Sequence, residues 1–207
     1  MAPAAEGSRA AHGGKEVTVS ESKDALGRGM LLIAAPGLMD PNFRRTVVLL
    51  CEHTPEGAVG LVLNRETEHT IEEVCRDLPE AAGRTERVHV GGPVQPDHLL
   101  VLHRDPQLGG KPIVDGVSLV GDIDVLRRLL TSPPGPDGPR FRCYAGYAGW
   151  GEGQLEQEME LGGWILVPGD ARLVFDTPTG EIWSEALRKK GGLYTLTAEM
   201  PPHPELN

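Results

Sequence analysis

Residues 36–65, PGLMDPNFRRTVVLLCEHTPEGAVGLVLNR, decide the fold of this chain. Asp40-Pro41 predicts a helix-type turn, with Asp40 as N-cap and Pro41 at the first helical position, where a missing N–H costs nothing. Residues 46–52 follow as a nearly continuous Val/Leu run. His53-Thr54-Pro55-Glu56-Gly57 then supplies the Pro and Gly of a turn. A second apolar run returns at 58–63, so the pair reads as a hairpin. Neither run alternates with polar residues, which predicts burial on both faces.

Upstream, 30–34 reads as another strand. Residues 1–24 are rich in Ala, Gly, Ser and charge, with almost no large apolar side chains. Such a segment cannot bury enough surface to offset chain entropy, so a disordered tail is expected there. Its charges nearly balance, so it is not a basic nucleic-acid arm. The folded domain is expected over 25–199, with a loose, Pro-rich tail at 200–207.

Downstream, Thr70-Ile71-Glu72-Glu73 has the form of a capping box. Ile71, Val74, Cys75 and Leu78 share one face of the helix it predicts, which Pro79 stops. Strands are expected at 87–90 and 98–102, with Gly91-Gly92-Pro93 between them. Asp122 caps a second helix with Ile123, Leu126, Leu129 and Leu130 inward. Residues 132–139, SPPGPDGP, read as an exposed loop. Residues 141–147 read as a strand, with Phe141, Cys143, Ala145 and Tyr147 on one face and Arg142 and Tyr144 on the other. A glycine cluster and a short helix at 154–161 follow, then strands at 164–167 and 172–175. A last helix carries Ile182, Trp183, Ala186 and Leu187 inward. Its basic last turn suits the macrodipole, and Gly191-Gly192 stops it. Strands cluster between single helices without strict βαβ alternation, which predicts an α+β fold.

The chain has 207 residues and 39% hydrophobic content, enough for one domain with a real core. Its formal charge of −10 argues against duplex DNA binding, which uses a basic face. Cys51, Cys75 and Cys143 form neither a C-x-x-C nor an even-numbered framework, which fits a reducing cytoplasm. The N-terminal residues hold no signal-type apolar run. No stretch approaches the roughly 18 apolar residues of a membrane span.

Four separated stretches in the right order resemble the YqgE/AlgH family of bacterial proteins. The first holds Asp40, Pro41, Phe43, Arg45, Cys51, Glu52, His53, Gly57, Gly60 and Asn64. The second is Gly91-Gly92-Pro93-Val94. The third is Gly146-Tyr147-Ala148-Gly149-Trp150, followed by Gly153-Gln154-Leu155 and Glu158. The fourth is Val174-Phe175-Asp176 with Trp183 and Ala186-Leu187. The resemblance implies a bifurcated sheet, part of it curling into a small barrel, with helices around it in a single domain. It implies no established catalytic activity and no cofactor. One branch of the family carries a label as a transcriptional regulator, a genetic role that identifies no DNA-binding surface.

Two functional readings follow. The first is a non-catalytic, cytoplasmic binding or regulatory protein whose partner is a protein or small molecule. Its groove is expected where the irregular Gly/Pro/aromatic stretches meet: Asp40, Phe43, Arg45 and Asn64, then Gly91, Gly92 and Pro93, then Tyr147, Gly149 and Trp150. Arg45 would serve as an anion fork. Against this stands a plain capped turn with Phe43 in the core, and Asn64 suits a turn as well as a ligand contact. The second reading is a thiol switch or thiol enzyme. Cys51 and His53, two apart in an extended segment, start on one face, and an adjacent imidazolium can lower a thiol pKa. The plain alternative is that Cys51 packs inertly beside Val47 and Leu49. A transcriptional role would be indirect. Several machines lack their parts: there is no G-x-S-x-G elbow, no H-E-x-x-H and no paired Cys/His metal set. Glu152, Glu156, Glu158 and Glu160 would repel a phosphate from the glycine cluster before 154–161.

Overall fold

A computed structural model describes residues 26–132 and 139–200. The expectations for the N-terminal tail, for most of the 132–139 loop and for the tail beyond Met200 lie outside the described residues.

Ten strands form a single curled sheet. In chain order they are β1 (Met30–Ala34), β2 (Val47–Thr54), β3 (Gly57–Val62), β4 (Glu66–Thr70), β5 (Arg87–Val90), β6 (Val94–His103), β7 (Lys111–Val114), β8 (Val117–Val120), β9 (Phe141–Gly151) and β10 (Trp164–Pro168). Five helices accompany them: α1 (Ile71–Val74), α2 (Ile123–Thr131), α3 (Gln154–Glu160), α4 (Ile182–Lys190) and α5 (Tyr194–Ala198). The sheet runs β10-β1-β2-β3-β9-β6-β8-β7. Its pairs are antiparallel except where β5 lies parallel to β9.

The fork in the sheet is at β9. Its C-terminal half pairs with β3, from Gly60↔Ala148 to Gly57↔Gly151. Its N-terminal half pairs with β5 at Tyr144 and Ala145. The opposite edge pairs with β6. The α+β, bifurcated and partly barrel-like architecture expected above is therefore present.

The β2–β3 hairpin has the expected turn, with Thr54 opposite Gly57. Both faces of β1 and β2 are buried. Leu31, Ile33, Val47, Leu49 and Cys51 face a core closed by α4. Leu32, Ala34, Val48 and Leu50 face a second core with Trp150, Leu155 and Trp164. Burying a Leu or Val fully contributes about 1.5–3 kcal/mol each, so this pair of strands carries much of the stability.

Several local expectations are corrected. The capping box at Thr70 forms, with Glu73 N donating to Thr70 Oγ1 and Thr70 N to Glu73 Oε2. The helix nevertheless ends at Val74, which is exposed. Pro79 disfavours helical backbone at Leu78, which adopts φ −103° and ψ 110°. Ile123 is exposed in the first turn of α2, while Leu126, Leu129 and Leu130 are buried as expected. Residues 172–175 are not a strand but lie within a π-type turn, Arg172–Asp176. Asp170 Oδ1 accepts from Leu173 N at 2.8 Å and starts that turn, a signal that a short apolar run conceals.

The alternation predicted for β9 fails at Tyr147. Phe141, Cys143 and Ala145 share one core, whereas Tyr147 joins Tyr144 on the other. The cause is Gly146, at φ +70°, which inserts a left-handed residue and shifts the pleat by one. Its α-carbon lies so close to the Gly91-Gly92 corner that an added Cβ would sit 2.6 Å from Gly92 O and 2.8 Å from Val94 O. Gly146→Ala is expected to lower stability by about 2 kcal/mol or more, combining a left-handed Ala with a backbone clash. Urea unfolding with an unchanged m-value would check this.

Candidate functional site

The residues of the expected groove fall into separate places. Asp40 acts as the predicted cap: its Oδ1 accepts from Asn42 N at 2.8 Å, and its carbonyl accepts from Arg44 N at 2.7 Å. Phe43 turns inward onto Trp150 and Trp164, with ring centroids 6.0 and 5.5 Å away. Glu158 Oε2 accepts from both indoles, 3.0 Å from Trp150 Nε1 and 2.8 Å from Trp164 Nε1. This is an internal staple between α3 and the sheet.

Arg45 goes the other way. It occupies a left-handed backbone conformation, φ +55°. Asn64 holds it there: Asn64 Nδ2 donates to Arg45 O at 2.8 Å, and Val47 N donates to Asn64 Oδ1 at 2.9 Å. Both ends of the Asn64 amide are thus spent on backbone. The Arg45 guanidinium lies 4.0 Å over the Trp183 ring and donates from both terminal nitrogens to Met200 O at 3.2 Å.

Gly91 and Gly92 pack against the backbone of Gly146 and Tyr147, and Pro93 and Gly149 are exposed. Phe43 and Trp150 therefore meet on one face of β9, while Tyr147 lies on the other with its own core. The expectation of one groove lined by all ten residues is corrected accordingly. Tyr147 and Trp150 are three apart on a strand and point oppositely.

The thiol pair also separates. A β-bulge at Cys51 breaks the ladder between Leu50 and Glu52. Cys51 stays in the core at 1% exposure, and burial pushes its thiol up to about 12. His53 instead bonds Glu156 Oε1 at 2.7 Å. A shared face at i and i+2 requires an unbroken pleat, which the bulge removes. Cys143 is buried as well, and Cys75 is half-buried. Among the described residues, no group of His, Cys, Asp and Glu is placed to hold a metal ion.

A different cluster has chemistry to spare. Arg142, Tyr144 and His89 meet where β5 runs parallel to β9, under residues 172–179. Tyr144 is fully buried, and its hydroxyl proton has no acceptor among the described residues. Burial raises its pKa, and Arg142 opposes this by its charge and by an N–H directed at the phenol oxygen. Arg142 Nη2 donates to Phe175 O at 3.2 Å and to Thr177 O at 3.3 Å. Among the described residues its buried Nη1 makes no full hydrogen bond, and the guanidinium forms no ion pair with a carboxylate. Buried charge without a counter-charge is costly. His89, 4% exposed, lies 5.2 Å from the Tyr144 ring. Glu66 Oε1, held by Thr179 Oγ1, is 3.6 Å from its Nε2. Burial first, and Arg142 second, lower the His89 pKa to about 4; Glu66 and nearby carbonyls oppose them. Arg104 flanks the cluster, stacked 4.4 Å over Phe175 and paired with Asp176.

The shared face of Arg142 and Tyr144 was legible from alternation. His89 was not: nothing in Arg87-Val88-His89-Val90 says which neighbour the imidazole meets.

A family model described as AlgH-like (DUF179) matches residues 31–195. The chain belongs to the AlgH-like family. It is 40% identical over 187 residues to a UPF0301 protein of Chlorobium limicola, covering 89% of this chain and 97% of that one. It is 42% identical over 165 residues to a UPF0301 protein of Myxococcus xanthus, covering 78% and 89%. The solution structure of the AlgH protein from Pseudomonas aeruginosa is similar, with a TM-score of 0.65 and 34% identity over 84% of this chain and 94% of that one. The crystal structure of protein DIP2367 from Corynebacterium diphtheriae shares the fold, with a TM-score of 0.69 at 22% identity, covering 86% and 94%.

Two outcomes are expected for this family member. Between pH 6.5 and 4 the unfolded chain protonates His89 and the folded chain does not, so stability falls as pH drops through that window and is restored above it. The loss attributable to His89 is on the order of 3 kcal/mol at full development, at 1.36 kcal/mol per pKa unit. Comparing urea midpoints of the wild type and His89→Gln from pH 7 to 5 isolates it. In native protein, a thiol reagent at pH 8 should modify Cys75 alone, with Cys51 and Cys143 reacting only on unfolding. Mass spectrometry of the labelled peptides reads this directly.

Proposed function

We propose that this protein acts by binding, as a cytosolic regulatory or adaptor protein, and performs no bond-breaking step of its own. The observation that carries this reading is the Arg142–Tyr144–His89 cluster. Among the described residues its guanidinium has no carboxylate and its phenol proton no acceptor, and a recognition site keeps such groups for a ligand. The same cluster lacks an activated nucleophile: burial drives Tyr144 towards its neutral form, and Cys51 is held as a neutral thiol. The thiol reading thus has less support, because a thiolate needs an electropositive, accessible setting.

A transcriptional effect would on this reading be relayed through what the protein binds. The formal charge of −10 supports that over direct phosphate contact. Among the described residues no helix is long and apolar enough to cross a membrane.

The test is retention of small molecules from a bacterial extract on the full-length protein, read by mass spectrometry against Arg142→Gln. A compound held by the wild type and reduced at least about tenfold in the variant is expected, the scale of one charge-assisted contact. Turnover of any substrate by the pure protein, lost when a single polar group is removed, would contradict the reading.

A further inference from the structure

We infer that Arg142 Nη1 and the Tyr144 hydroxyl together bind one small oxyanion group, of the carboxylate or phosphate type. The inference deepens the binding reading above and rests on it.

Arg142 carries only N–H groups, and its Nη2 is committed to the carbonyls of Phe175 and Thr177. Those two bonds fix the plane of the guanidinium and aim it. Its Nη1 is buried beside the sheet and makes no full hydrogen bond among the described residues. Tyr144 stands two residues on along β9, on the same face, and is 0% exposed, with no acceptor for its hydroxyl proton among the described residues. The two side chains are close enough for Arg142 to favour the ionised phenol. Two adjacent donors, one of them cationic, select an acceptor that carries negative charge.

The local charge agrees. Arg104 is neutralised by Asp176, but among the described residues no carboxylate neutralises Arg142. The nearest acid of the cluster, Glu66, is turned to Thr179 and to the far nitrogen of His89. An oxyanion at Arg142 would supply the missing counter-charge within hydrogen-bond distance. His89 then reports on it, because a negative charge within about 4–6 Å favours the imidazolium. The groups facing His89 are Arg142, Tyr144 and Glu66, so a shift in its titration has few other sources.

The cover over the site belongs to the fold. The turn Arg172–Asp176 is π-type, a geometry found frequently at functional sites. Two sheet residues and one just past β6 tether the segment: Arg142 through two carbonyls, Glu66 through Thr179, and Arg104 through Asp176.

The experiment is an NMR titration of the full-length protein at constant ionic strength with sodium phosphate, sodium formate or sodium chloride. Saturable shifts at the Arg142 side chain and the Tyr144 and His89 rings are expected with at least one oxyanion and not with chloride. The His89 midpoint should rise by about one unit in the saturated protein. Response to formate alone assigns a carboxylate, and response to phosphate alone a phosphoryl group. Tyr144→Phe keeps the ring in the core and should weaken binding about tenfold. Arg142→Gln should abolish it. Absence of any response beyond chloride in the wild type overturns the inference, whatever the variants do, and so does a Tyr144→Phe response equal to wild type. A neutral compound that binds where both anions fail removes the oxyanion and leaves the binding reading intact. Anion binding by a protein that also turns a substrate over does the reverse.

Discussion

Everything in this sheet depends on one close approach of backbones, where Gly91 and Gly92 lie against Gly146. An added Cβ on Gly91 would sit 2.1 Å from Gly146 O, and one on Gly92 would sit 2.1 Å from the Tyr147 carbonyl carbon. No side chain fits there. The contact lets β9 pass from the β5–β6 half of the sheet to the β3 half while bonding both. The left-handed residue at Gly146 reverses which way the strand faces. Before it, Phe141 and Cys143 point to the core closed by α2, and Arg142 and Tyr144 point under residues 172–179. After it, Tyr147 shares the Tyr144 side, and Trp150 joins Phe43 and Trp164.

That reversal sorts the polar chemistry. On one side the demand is met internally. Glu158 is half-buried, and its desolvation is offset because two indole N–H groups satisfy one of its oxygens and Gln154 donates to the other. On the other side the demand is unmet. Arg142 is half-buried like Glu158 and Tyr144 is deeper, yet each keeps a buried polar atom that is not fully satisfied among the described residues. The difference between these two buried networks is what separates a structural staple from a site.

The sequence was most readable where local chemistry is self-contained. The Asp40 cap, the Thr70 capping box, the Asp122 cap and the Val/Leu runs of β2 and β3 all form as their residues dictate, because each needs only neighbours along the chain. It was least readable where one residue changes the phase of a pattern. The bulge at Cys51 and the turn at Gly146 each shift alternation by one residue, and this is why Cys51 parts from His53 and Tyr147 from Phe141. Tertiary partners were hidden too. Arg45 meets Trp183 and Met200 from far along the chain, and His89 meets Arg142 through a parallel pairing that no periodicity announces.

The central claim is that Arg142 and Tyr144 keep their free donors for a group that the chain does not contain. A high-resolution crystal structure of the protein equilibrated with formate or phosphate tests it most directly. The account predicts density for an oxyanion bonded to both Arg142 Nη1 and the Tyr144 hydroxyl. Finding those two atoms bonded only to protein or water, with no room for a further group, would contradict it.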